Sequence, residues 1–374
     1  MRTAPLGISW LMVTLLAAPP VVGQGTAPRP VILTAPTCAT CRVELTSVGK
    51  LGGDGGPLDD AKGFGELRAI SDTLIVVTPA KPLGVWGVHP SGRIIWRSGR
   101  QGSGPGEFQR ADRIGVLPGD SIVIWDQELA RLTLLTKGGR LVRSERVIAG
   151  VPIFVPTSGT GGFALGRLVK PAPGSKTPPL PVHRVRLDSV LSSFGSANAT
   201  KDPGDPFRFD RIVLPYKGGA IVIPRVYQLA AEIYDRRDQL TTRFERVAKW
   251  FSPYESYVAG IPDTPPTPLV YDAWVDDQDL LWLLIQRAAP TWAQAFSKEA
   301  TAGEGGRKVR RLDNPGLYLE GVIEVIDLKK RQLLVSQQVP QQVSYALGRN
   351  MIASKQSTPD GDRFLVLHRA ALRR

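Results

Sequence analysis

The chain has 374 residues, 42% of them hydrophobic, with 39 Gly, 32 Pro and a formal charge of +13. Gly and Pro exceed ordinary usage without a strict period, so in so apolar a chain they mark turns rather than disorder. The length is ample for a large core, helical signals are nearly absent, and the expected class is all-β.

In chain order, Met1 to Gly23 reads as a secretory signal peptide: Arg2 is its charged end, Leu6 to Ala18 its apolar run, Val21-Val22-Gly23 its small-residue cleavage site. No Cys sits at that cleavage point, and no later stretch approaches the ~20 apolar residues a spanning helix needs. Export to the periplasm or the extracellular space is therefore expected, either with cleavage or with the leader kept as an anchor. Residues 24–41 form a lead containing Cys38 and Cys41, the two cysteines of the chain. A local structural disulfide is the first reading, with redox chemistry or free thiols as the alternatives. Haem attachment would need His where Arg42 stands. Zinc would need further ligands, and only His89, His183 and His368 are scattered along the chain.

Short strands separated by turn signals then recur in units. The first spans residues 65–108, with strands near Leu67–Ile70, Thr73–Thr78, Gly84–His89 and Arg93–Ser98. The units at 109–150, 151–195, 207–247 and 269–339 have the same rhythm, and the last, 343–374, has only three strands. Arg42 to Leu51 is a single strand without a partner of its own. Given to the last unit, it would close a ring of six four-stranded blades, a β-propeller over residues 42–374. A β-sandwich, the main rival, does not explain why the unpaired strands at the two ends match.

Gly102-Ser-Gly-Pro-Gly-Glu-Phe108, the strand ending Trp125-Asp126, and Leu132 running into Lys137-Gly138-Gly139 resemble the NHL-repeat kind of propeller. The match is specific over the first two blades, about a quarter of the chain. Its relatives include scaffolds, ligand-binding modules and a few lyases and hydrolases, so the resemblance implies a fold and leaves the function open.

Motifs for catalysis are sparse. The glycine run at 99–106 precedes a strand, where a dinucleotide loop would open a helix, so it reads as a turn. Gly303 to Lys308 lacks P-loop spacing, no Gly-x-Ser-x-Gly occurs, and three histidines offer no evident nucleophile–base pair. Asp276-Asp277-Gln278-Asp279 reads as a β-turn with its carboxylates in water, a calcium site being the weaker alternative. No cofactor or metal is implied.

With strands labelled a to d from the axis outward, the insertions near 170–181, 196–206, 250–268 and 287–319 fall on one face, that of the d–a and b–c connections. Long loops on a rigid scaffold concentrate binding function. Arg68, Arg113 and Arg211 near the starts of a strands, and Arg167, Arg225 and Arg287 near the ends of b strands, point to the same face. Guanidinium groups there offer bidentate donors to carboxylate or phosphate. The bland reading is a solvated basic surface. Trp250, Tyr254, Tyr257 and Trp292 could stack on a ligand or pin the loops. Thr291 to Gln294 has the capping-box pattern of a short helix, followed by a Gly-rich basic stretch. Two classes follow: a non-catalytic exported module whose basic face meets an anionic small molecule, glycan or protein, or a lyase or hydrolase working in the axial mouth. Nucleic acid is a poor partner for an exported chain.

Overall fold

The structure, a computed structural model, describes residues 28–53, 58, 64–81, 83–151, 153–166, 168, 180–196, 210–252, 265–302, 308–339, 343–357 and 363–374. The signal-peptide reading, Arg167, Tyr254, Tyr257 and most of the inserts at 170–181, 196–206 and 250–268 lie outside these residues.

Six four-stranded antiparallel sheets follow one another along the chain. In the second, Ala111–Val116, Ile122–Asp126, Arg131–Leu135 and Leu141–Arg146 take positions a to d. The a strands of the other blades are Phe64–Ser71, Ile153–Ser158, Arg211–Tyr216, Leu269–Val275 and Val343–Gly348. Each a strand touches the next around a closed circle, the sixth returning to the first. The protein is a six-bladed β-propeller.

The core lies between blades. The b strands are nearly continuous apolar runs, such as IVIWD at Ile122–Asp126 and LLWLLIQRA at Leu280–Ala288, because both of their faces are covered. Ile122 and Ile124 face the first blade with Ile70, Val76 and Phe108. Val123 and Trp125 face the third with Phe154 and Ala164. Six such clusters fill the six gaps between neighbouring blades.

The expected closure is present. Arg42–Leu51 lies antiparallel on Arg363–Arg373 as the outer strand of the sixth blade, with Val43 opposite Leu372 and Lys50 opposite Val366. A second device is new: Val31–Leu33 adds in parallel to the outer strand Leu240–Arg246 of the fourth blade. Between the two, Thr37 donates its N–H to the Leu333 carbonyl of the fifth blade at 2.8 Å. The lead is thus a strap across three consecutive blades. The Cys38–Cys41 disulfide lies on it, and Cys41 packs against the core between the fifth and sixth blades.

The fifth-blade insert departs from the sequence expectation. In place of a helix there is a single 3-10 turn, Trp292–Ala295, and Thr291 makes no side-chain cap. A hairpin of Phe296–Ala302 and Lys308–Leu312 follows. The capping-box spacing was met, but only one turn's worth of apolar residues follows it, too few to sustain a helix.

The glycine-rich turn is a structural device. Glu107 accepts the Gly104 N–H at 2.9 Å and the Arg100 guanidinium at 2.8 Å, and Gly106 takes φ +75° where a side chain would be strained. Phe108 is thereby driven into the core. Asp126, fully buried, accepts the N–H groups of Gln109 at 2.8 Å, Arg110 at 3.2 Å and Leu129 at 3.1 Å. That is the physical content of the Gly-Pro-Gly-Glu-Phe and strand-ending Asp pattern.

Candidate functional site

The starts of the a strands and the ends of the b strands meet on one face, as Arg211 opposite Pro224 and Phe64 opposite Pro79 show. Around the axis on this face the charges are organised in pairs. Glu66, 8% exposed, receives Arg68 Nη2 at 2.8 Å and, from the second blade, Arg113 Nη1 at 2.9 Å. Arg68 Nη1 also donates to the Ala346 carbonyl of the sixth blade at 2.6 Å. The Ala346 N–H in turn donates to Asp272 Oδ2 of the fifth blade at 2.8 Å. Burial pushes the Asp272 carboxyl up from its ordinary value, against the pull of the Arg68 guanidinium and the Ala346 N–H. Residues from four blades are thus tied across the axis. Arg113 keeps 39% of its side chain exposed.

Beside this knot two tyrosines carry cations on their rings. Lys355 Nζ lies 5.1 Å from the Tyr345 ring centroid, and the Arg225 guanidinium lies 5.8 Å from that of Tyr271. Arg225 also donates to the carbonyls of Val270 at 3.1 Å and Tyr271 at 2.7 Å, bridging the fourth and fifth blades. Burial pushes the Tyr271 hydroxyl up; the cations of Lys355 and Arg225 pull it down, while Tyr345 and Asp272 add to the rise. Among the described residues Lys355 has no carboxylate partner, and it is exposed.

The remaining sequence-predicted residues sit elsewhere on the face. Arg211, expected to present its guanidinium on the loop-rich face, is only 4% exposed and donates to the carbonyls of Asp210 and Ser196, both at 2.9 Å. Burial pushes its guanidinium down to about 10, against the attraction of Glu232 and Asp210, so it stays a cation at neutral pH. Arg287 pairs with Glu320 at 2.6 Å and lies 5.2 Å over the Trp250 ring, so these two predicted residues do meet. Trp292 is half-buried in the 3-10 turn. The structure thus joins Arg68 with Arg113, and Arg287 with Trp250, as separate groups. The sequence reading missed Glu66, Tyr271, Asp272, Tyr345 and Lys355. Their one available signal was their placement at a-strand starts and a b-strand end, shared with many inert residues.

The three histidines lie away from the axis. His89 bonds Ser91 in a turn on the opposite face. His183 and His368 are buried within the third and sixth blades, each 2.9 Å or less from a serine, Ser193 and Ser354 respectively. These Ser–His pairs are closed to any substrate and satisfy each other's polar atoms. Asp276, expected in water, accepts the N–H groups of Gln278 and Leu280 and Trp282 Nε1, all at 2.9 Å. Asp279 takes Tyr216, Lys217 and Lys329, which hold its carboxyl down at about 2. Among the described residues no group of three or more His, Cys, Asp and Glu is placed to hold a metal ion.

No protein-family model and no curated protein matches the chain. Solved structures do. A candidate exported protein of Bacteroides fragilis is 9% identical with a TM-score of 0.53, covering 92% of this chain and 100% of that one. A duf4221 family member from Bacteroides vulgatus is 9% identical with a TM-score of 0.54, covering 88% and 98%. Both share the fold. Virginiamycin B lyase from Staphylococcus aureus is 10% identical over 87% of this chain and 99% of that one, but its TM-score of 0.35 is too low to carry any argument. Among the described residues no helix is long and apolar enough to cross a membrane.

Proposed function

We propose that the chain is an exported binding module that takes an anionic ligand in the axial mouth of its loop-rich face. The observation that carries this reading is the pair of cations on aromatic rings, Lys355 on Tyr345 and Arg225 on Tyr271, at the a-strand starts of neighbouring blades. Arg113, 39% exposed and paired with Glu66, adds a further guanidinium on the same face. A carboxylate or sulfate placed among them would gain charge-assisted hydrogen bonds, and the tyrosine rings would offer a flat apolar surface to a sugar or peptide. Arg68 and Arg211 serve the scaffold through Glu66 and backbone carbonyls. Arg225 is tied as well, to the Val270 and Tyr271 carbonyls and to Asp210 at 3.7 Å. It contributes charge to the mouth, while Lys355 contributes the donors with no carboxylate partner among the described residues. Export is supported by the leader-like first 23 residues and the Cys38–Cys41 disulfide, and the Bacteroides fragilis neighbour bears a name of the same kind.

Glucuronate against glucose, titrated calorimetrically into the full chain, tests the reading. The acid sugar should bind at least tenfold more tightly than the neutral one. Replacing Arg225 and Lys355 together with Gln should remove most of that preference, since each charge-assisted bond is worth about 1.5–3 kcal/mol. Equal affinities for the two sugars, or a preference untouched in the double variant, would remove the axial mouth as an anion site.

A further inference from the structure

The opposite face, where the a–b and c–d hairpins turn, carries a cavity unrelated to the axial mouth. It lies at the junction of the fifth and sixth blades and has a volume of about 240 Å³. Three guanidinium-bearing residues, Arg349, Arg369 and Arg374, line it together with Asp276, Gln278 and Asn350. Trp282 and Leu280 form its apolar floor, and both are almost wholly buried.

The charge of this cavity is positive and weakly committed. Asp276 is its one lining side-chain carboxylate, and both oxygens are already occupied by three N–H donors. Arg369 reaches Asp72 of the first blade at 3.0 Å, with 42% and 67% of the two side chains exposed. Arg349 reaches Asp120 of the second blade at 3.4 Å, also in the open. Ion pairs so exposed contribute little and exchange readily for another anion. Arg374 is exposed and has no carboxylate partner among the described residues. The wall is rigid: Asn350 Oδ1 accepts Trp274 Nε1 at 2.8 Å, its carbonyl accepts the Ala370 N–H at 2.7 Å, and Trp274 stacks on Trp282 at 5.2 Å. Guanidinium-bearing side chains lining a fixed, partly apolar recess are suited to recognising paired oxygens.

We propose that this cavity is a second binding site, for a small oxyanion bearing a carboxylate or phosphate group, with Arg369 and Arg374 as its principal donors and Arg349 at its rim. It stands independently of the axial mouth, from which it is separated by the length of the blades.

Calorimetric titration of the full chain at low salt with inorganic phosphate and, separately, with succinate decides it. At least one of the two should bind the unmodified protein at a site that Arg369→Gln/Arg374→Gln weakens at least tenfold and that Arg225→Gln/Lys355→Gln leaves in place. Which of the two binds tells phosphate from carboxylate as the group recognised. Arg374→Gln alone, at an exposed position that the fold does not need, should weaken binding about threefold and guards against a folding defect in the double variant. Failure of both probes to bind, or equal binding by the Arg369/Arg374 variants, overturns the site. Loss that follows Arg225 and Lys355 instead would also overturn it and assign the anion to the axial mouth.

Discussion

Three backbone N–H groups converge on the fully buried Asp126 carboxylate, so one side chain holds the end of the glycine-rich turn and the start of the next hairpin together. Asp126→Ala would leave three donors without a partner in a site with no room for bulk water. Each buried orphan costs about 1–3 kcal/mol, and partial relaxation brings the expected loss to about 2–4 kcal/mol in a urea-unfolding measurement. A loss under about 1 kcal/mol would mean that the carboxylate is not what holds the turn. This role was legible in the sequence, because the Gly-Pro-Gly-Glu-Phe turn and its Asp lie within one blade. The arginines were not. Arg113 finds its carboxylate 47 residues away and Arg68 its carbonyl 278 residues away, distances over which residue type alone names no partner.

At the scale of elements, the ring depends on a strand borrowed from the other end of the chain. Leu51 is wholly buried between the sixth and first blades, and Val43 packs between the fifth and sixth. A chain beginning at Thr37 loses only the short parallel strand Val31–Leu33 and should melt slightly lower. A chain beginning at Gly52 loses the closing strand as well and should melt at least ~5 °C below that, or fail to fold, since a kcal/mol shifts a domain of this size by a few degrees at most. Equal melting temperatures for the two would refute the clasp. The closing strand was readable because it had no partner of its own and its partner blade was one strand short. The parallel strand was not, since VIL could belong to any extended segment. The 3-10 turn at Trp292–Ala295 was expected as a short helix because a capping pattern fixes a start and says nothing about continuation, and the hairpin after it was not foreseen.

The whole molecule distributes its core over six inter-blade seams, and two of its blades bury a histidine. Burial pushes both His183 and His368 below their ordinary value. The folded protein disfavours their charged form, while the unfolded chain takes up protons below about 6.5. Stability from these groups is therefore full above that pH and is lost as pH falls from it through their depressed folded values. Buried Asp272 and Glu324, pushed up by desolvation, act in the opposite direction at lower pH, so the comparison must be between proteins. His183→Gln should show a flatter loss of unfolding free energy between pH 7.5 and 5.5 than the unmodified chain, by at most about 1.4 kcal/mol per pH unit. Parallel curves would show that His183 is not held neutral.

The blade count, the all-β class, the glycine-rich turn and the exchange of a strand between the chain's ends could be read from residue order alone. Each of these is written in local rhythm: alternating apolar residues, turn residues, and a count of strands that comes out one short at one end and one over at the other. Packing between blades settled which arginines serve the scaffold, set Lys355 and Arg225 on Tyr345 and Tyr271, laid the lead across three blades, and opened a basic cavity on the hairpin face. Those features arise where blades meet. Residues far apart in the chain become neighbours there through the radial arrangement of the sheets, and no spacing along the chain encodes which charge will face which.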